Sequence, residues 1–375
     1  MITRRAYIGI AAISVGVGLA ALIASAAPRD KGVDARAVAE FWTPARMATA
    51  VPRDIVMGDA GRWYMRGADG VLHPYGAHTT GRSVAAKGKP VGSPSTTVKS
   101  AKYTLGGTVQ KAAGRLYFRM PDDAGQLVGY LCSGTVVTDS RSDSSMILTA
   151  AHCVYDDAHH VFATDVMFIP NQSASGTRTD RNCANDVYGC WFASHAAVDA
   201  RWQANAWPDN IPFDYGFYSV PTSGYHIGGS AEPSLEATVG HLDVAWSSPT
   251  NAGAHTYALG YSYKQDPYLM YCAQTLGTIT SLFATGSYTN WWLSSCGLSG
   301  GASGGPWLQP APGVAYSGSE PVLAVNSWGY QGKPGMAGPR LQTVFSPRPL
   351  EVYNATDALT SNGTGVVAAL ASTNA

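Results

Sequence analysis

The chain has 375 residues, enough for two compact β-domains behind a leader. Charged residues make up 13% of it, against roughly 25% in ordinary soluble domains. The formal net charge is zero, and no nucleic-acid partner is expected.

The N-terminus has the layout of an export signal. Arg4 and Arg5 precede an uncharged apolar run from Ala6 to Ala24, and Ala24-Ser25-Ala26 fits an A-x-A cleavage site. Residues 1–26 are therefore read as a signal peptide, and the mature protein as extracellular with no stable membrane association. A retained anchor is the competing reading, since an apolar run of this length just spans a bilayer. Thr3-Arg4-Arg5-Ala6-Tyr7-Ile8 is also a loose match to a twin-arginine signal, so the export route stays open.

Residues 27–103 read as a propeptide or N-terminal extension. Residues 1–105 carry 14 basic against 6 acidic side chains, and residues 106–375 carry 11 against 19, so the zero total hides a strong asymmetry. A basic leader on an acidic body fits an inhibitory prosegment held partly by charge. The alternative is an uncleaved extension packed on the first domain. Asp34 to Ala50 has helix-forming residues interrupted by Pro44, and Arg82 to Ser100 reads as a Gly/Pro/Ser-rich linker and processing region.

Beyond residue 104, short apolar runs alternate with turn residues. Leu116-Tyr117-Phe118, Val136-Val137, Met146-Ile147-Leu148, Val166-Met167-Phe168-Ile169 and Val322-Leu323-Ala324-Val325 are examples. With no internal repeat and no long amphipathic helix in the second half, this predicts an all-β sandwich or barrel.

Three segments carry chemistry. Thr149-Ala150-Ala151-His152-Cys153 offers a base after an apolar run, and Gly301-Ala302-Ser303-Gly304-Gly305-Pro306 offers a glycine-flanked serine. A serine hydroxyl needs a base to take its proton and backbone N–H groups to hold the oxyanion. The serine segment also fits G-x-S-x-G, whose enzymes place histidine after serine. The last histidine here is His255, so the order is histidine first and serine last. The acid then lies between them. Asp214, before the strand-like run Tyr215 to Val220, is the best candidate, and Asp209 in a turn is the reserve. Asp156, Asp157 and Asp165 lack calcium-loop spacing and read as solvated turn residues.

These three segments, in this order, resemble the signatures of chymotrypsin-like serine peptidases, most closely the secreted bacterial and especially actinobacterial members. Asn326-Ser327-Trp328-Gly329 resembles the strand lining the family's substrate cleft, and Cys132-Ser133-Gly134-Thr135 the strand leading to the histidine. The likeness runs from about Thr104 to Asn354. It implies two six-stranded antiparallel β-barrels over residues 104–375, with His152, Asp214 and Ser303 in the cleft between them. It further implies an oxyanion hole from the N–H groups of Gly301 and Ser303, a pocket lined by Gly297, Leu298, Ser327, Trp328 and Gly329, and secreted endopeptidase activity on proteins or peptides. No metal or organic cofactor is needed for that chemistry.

Six cysteines in an exported chain predict three disulfides. The resemblance implies Cys132–Cys153. Cys183 and Cys190 enclose a short loop, and Cys272 and Cys296 remain. A metal site from Cys183, Cys190 and His195 is the weaker alternative. Two departures from the family matter. Ala302 stands where many members carry an aspartate that pairs with a newly cut N-terminus, so activation by that ion pair is excluded here. Gly297 stands where trypsin-like members carry the aspartate that attracts Arg or Lys, and Asn326 stands where glutamate-specific relatives carry histidine. An apolar or small-residue pocket is the reading that remains. The other function classes weighed are a silent binding protein on a peptidase scaffold, which fits poorly with a complete residue set, and an esterase of another fold, which the histidine order disfavours.

Overall fold

The computed structural model describes residues 34–67, 69–77, 84–86, 96–174, 181–222, 224–229, 232–247, 252–283, 286–311 and 313–372. The expected signal peptide lies outside the described residues, as do residues 82–83 and 87–95 of the expected processing region.

Strands Ala113–Pro121 and Leu127–Val137 form a long hairpin, closed by Asp122, whose side chain accepts from the N–H groups of Ala124 and Gln126. This is the local chemistry of an aspartate turn. The sheet continues through Ser144–Thr149, Gly216–Pro221 and His195–Asp199 on one side, and through Thr164–Pro170 and Cys190–Phe192 on the other. All six residues of Ser144–Thr149 are buried, as a strand packed on both faces requires.

The second half holds two sheets. One runs Val322–Val325, Pro306–Leu308, His255–Gly260, Met270–Thr275 and Val98–Lys102. The other contains Gly277–Phe283, Gly286–Leu293, Lys333–Gly338 and Trp328–Tyr330. The fold is all-β and largely antiparallel, in two halves, as expected. Beside a two-stranded ribbon of Tyr155–Asp156 and Val161–Phe162, the sheets have ten, five and eight strands, and the chain ends add strands to both halves. Val51–Pro52 and Gly365–Ala369 join the first sheet, and Ile55–Met57, Trp63–Arg66 and Leu72–Pro74 join the last.

The helix-forming stretch Asp34 to Ala50 is interrupted as expected, by a break at Trp42-Thr43, and Pro44 starts the second helix. Asp34 caps Ala35–Phe41, Thr43 caps Pro44–Thr49, and proline at the first helical position lacks only an N–H that would be unpaired anyway. One expectation is corrected: the supposed linker, Arg82 to Ser100, holds the strand Val84–Ala86 and the start of Val98–Lys102, paired with Gly277–Phe283 and Met270–Thr275 respectively. An existing sheet edge supplies their hydrogen bonds, so they need little apolar periodicity of their own.

Disulfides join Cys132 to Cys153, Cys183 to Cys190 and Cys272 to Cys296. Cys183 and Cys190 are bonded to each other and offer no free thiolate for a metal.

Candidate active site

His152 sits in a tight turn, Ala151–Cys153, directly after the buried strand Ser144–Thr149. The turn is fixed by the Cys132–Cys153 disulfide and by Tyr218, whose hydroxyl donates to the Cys153 carbonyl at 2.7 Å. Asp214 ends another tight turn, Ile211–Phe213, just before Gly216–Pro221. That strand pairs with Ser144–Thr149, with Gly216 opposite Thr149, so sheet register carries the carboxylate to the imidazole.

Both side chains are fully buried. The Asp214 carboxylate lies 2.9 Å from His152 Nδ1, accepts from the His152 backbone N–H at 3.0 Å, and accepts from Ser327 Oγ at 2.5 Å. A carboxylate only accepts, so Nδ1 carries the proton and the Nε2 lone pair is left for a base's work. Nε2 is buried and has no hydrogen-bond partner in this structure. The bond to a nucleophile is therefore not made in this form, and such bonds often tighten only with substrate bound. Asp209 lies in a separate turn, its N–H on the Ala206 carbonyl.

Ser303 lies in a turn leading into Pro306–Leu308 and is nearly buried. Two glycines are required there. Gly301 adopts φ +88°, and a Cβ on Gly304 (φ +81°) would stand 2.0 Å from Thr149 Oγ1. Ser303 lines a cleft of about 740 Å³ together with Gly297, Leu298, Ser327, Trp328 and Gly329. Asn326 does not face this cleft. It is fully buried, and its amide donates to the carbonyls of Leu259 and Ala302.

The cleft is crossed by the N-terminal segment. Val51–Pro52 runs parallel to Leu127–Val137, and Ile55–Met57 runs parallel to Trp328–Tyr330. Between them, Arg53 donates to the His152 carbonyl at 2.8 Å and pairs with Asp156 at 3.2 Å, and Asp54 Oδ1 accepts from the Gly301 N–H at 2.8 Å. Farther along, the Trp63 ring stands edge-on to Trp207 and Trp328, at 5.2 and 4.9 Å between ring centres. Sequence reasoning missed this strap. Its one signal is Arg53-Asp54, an adjacent charged pair inside the otherwise apolar run Val51 to Met57.

Burial pushes the Asp54 carboxyl above its ordinary value, against the opposing pull of the Gly301 N–H, Arg66 and His152. Burial pushes Asp156 the same way, but Arg53 and His159 outweigh it and hold Asp156 low. Asp156, Asp157 and Asp165 are buried, not solvated turn residues. They hold Arg53, Tyr75 with Asn210, and Arg119 respectively. His226 stacks on Trp191 and His241 pairs with Glu236, and His159 pairs with Asp156.

Residues 132–315 match the family described as trypsin-like peptidase domain, a span that includes His152, Asp214 and Ser303. Among solved structures, the chain is similar to the protease Anisep from Arthrobacter nicotinovorans, at 24% identity and TM-score 0.47, over 66% of this chain and 96% of that one. It is similar to the thermostable serine protease AL20 from an extremophilic microorganism, at 21% identity and TM-score 0.45, over 63% and 94%. It is also similar to a Glu endopeptidase, at 15% identity and TM-score 0.45, over 72% and 99%. No curated protein matches the chain.

Proposed function

We propose that this chain, residues 132–315 of which match a trypsin-like peptidase domain, is a serine-type endopeptidase that works through Ser303, His152 and Asp214, is exported, and is kept latent by its own N-terminal strap. The observation that carries the catalytic reading is the buried His152–Asp214 pair, linked through Ser327, which donates to Asp214, to the cleft that Ser327 and Ser303 both line.

Ser303 Oγ attacks the scissile carbonyl while His152 Nε2 takes its proton. The carbonyl oxygen becomes an oxyanion held by the N–H groups of Gly301 and Ser303. His152 then protonates the leaving amine, and water, deprotonated by the same imidazole, releases the acyl group. Asp214 fixes the imidazole tautomer and stabilises its cation. Gly297, Leu298 and Trp328 wall the pocket, and the only carboxylate lining it among the described residues is Asp54 of the strap. This supports an apolar or small side chain at the cleavage site, because a cation in a partly desolvated pocket with no counter-charge is costly.

The strap supports the prosegment reading. Asp54 occupies the Gly301 N–H that an oxyanion would need. A side-chain carboxylate, not a peptide carbonyl, thus meets the hole, and the strap itself is not cut there. Removal of residues 27–103, by cleavage between about Arg82 and Thr104, would open the cleft. The apolar leader and three disulfides support export to an oxidising compartment.

The test is hydrolysis of a peptide library by the secreted product, with its N-terminus sequenced. Wild type is expected to cleave, and Ser303→Ala or His152→Ala to lower kcat by roughly a millionfold with unchanged circular dichroism. A Ser303→Ala protein that hydrolyses at the wild-type rate overturns the reading.

A further inference from the structure

Ala302 leaves the oxyanion turn without a carboxylate to anchor it, yet the turn is held on every side. Tyr263 N–H donates to the Gly300 carbonyl at 2.6 Å, and Asn326 Nδ2 to the Ala302 carbonyl at 2.8 Å. Because a peptide unit is planar, holding those two carbonyls aims the N–H groups of Gly301 and Ser303, the two oxyanion donors. Ser133 binds the turn twice more. Its hydroxyl donates to the Gly301 carbonyl at 2.8 Å, and its N–H donates to the Ser303 carbonyl at 2.7 Å.

The same Ser133 hydroxyl accepts from the Tyr261 N–H at 2.8 Å. Directly across the hairpin from Ser133 stands Arg115, a fully buried guanidinium. Its Nη1 donates to the Tyr261 carbonyl and, at 3.4 Å, to the Gly301 carbonyl, and its Nη2 pairs with Asp266 at 2.7 Å. Arg115 and Ser133 thus fix residue 261, and through it the segment that presents Tyr263 N–H to Gly300. A buried cation is retained only where it is paired and hydrogen-bonded, and here two of its acceptors belong to this frame.

We propose that Ser133 and Arg115 are positioning residues that hold the oxyanion amides of Gly301 and Ser303 in their productive orientation, replacing the ion pair to a new N-terminus that Ala302 rules out. The inference rests on the serine-peptidase reading above. It makes the hole a built-in part of the first sheet's hairpin, independent of where the chain is cut.

The test compares wild type, Ser133→Ala and Arg115→Lys, each as the secreted product with its N-terminus determined by mass. Arg115→Lys keeps a charge opposite Asp266 but loses the planar fork that reaches two carbonyls. Each variant is expected to lose about tenfold or more in kcat, short of the roughly hundred- to thousandfold that loss of a direct oxyanion donor costs. KM should stay within about twofold, as for an interaction felt only in the transition state. Affinity for a peptide boronate, which places an anionic oxygen in the hole, should fall by the same factor as kcat/KM. Unchanged kcat, or a kcat loss with undiminished boronate affinity, overturns the proposal. Failure of both variants to fold also overturns it, by making the pair a folding element only. Absence of hydrolysis by wild type would instead fail the serine-peptidase reading, before any variant is compared.

Discussion

Two stretches of chain meet at the Gly301 amide, and they treat their polar groups in opposite ways. On the side of the proposed nucleophile, each carbonyl from Gly300 to Ser303 has a short hydrogen bond from the surrounding strands and loops. On the strap side, Asp54 is buried against the same amide with Arg66 3.5 Å away, and its burial is incompletely offset, so its carboxyl is raised. A turn whose carbonyls are all held stays in place when its partner leaves, whereas a strap with an incompletely offset carboxyl is suited to leaving. The strap is held besides by parallel pairing with Leu127–Val137 and Trp328–Tyr330, by Arg53 on the His152 carbonyl and Asp156, and by the Trp63 ring between Trp207 and Trp328.

The largest expected effect breaks the catalytic side. Asp214→Asn keeps the volume but lets the amide donate to Nδ1, which favours the wrong tautomer. A kcat loss of about ten-thousandfold is expected, with folding preserved by circular dichroism. A loss under tenfold would remove Asp214 from its role.

The next breaks the strap. Trp63→Ala removes a buried ring, a change worth roughly 3–5 kcal/mol in a packed core. Uncut full-length protein should then react with a fluorophosphonate much faster than wild type does. An unchanged rate would mean that the strap does not limit access to Ser303.

How much of this the sequence discloses follows from how local each feature is. His152, Asp214 and Ser303 stood out as candidates because each sits in a short run that marks it locally, the glycines around Ser303, the apolar run before His152 and the strand-like run after Asp214, and the all-β class because strand runs and turn residues alternate. Asp54 and Gly301 are 247 residues apart, and nothing in either neighbourhood announces the other. Ser133 and Arg115 carry ordinary strand contexts, and only their cross-strand register reveals a shared task. The burial of Asp156, Asp157 and Asp165 was missed for the same reason: their partners Arg53, Tyr75 and Arg119 come from distant strands or the strap.

The smallest effect sharpens the comparison through pH. Free of the cleft, Asp54 titrates in the ordinary carboxylate range, and docked it titrates higher. Docking therefore takes up a proton. It is strongest in acid and weakens as pH rises from the ordinary value through the raised one. The readout is the ratio of fluorophosphonate labelling rates, uncut wild type over uncut Asp54→Asn, in which pH effects common to both proteins cancel. That ratio should climb with pH across this window, and a flat ratio would separate the Asp54 carboxyl from the strap's hold.

The central claim is that one serine, deprotonated by His152 and covered by the strap, does the chemistry. Mass-spectrometric mapping of the fluorophosphonate adduct tests it most directly, in uncut full-length protein and in the processed secreted form. The account predicts a single adduct on Ser303, slow in the uncut form and fast in the processed one, and none in His152→Ala over the same time. An adduct on another residue, or equally fast labelling of Ser303 with the strap in place, would contradict it.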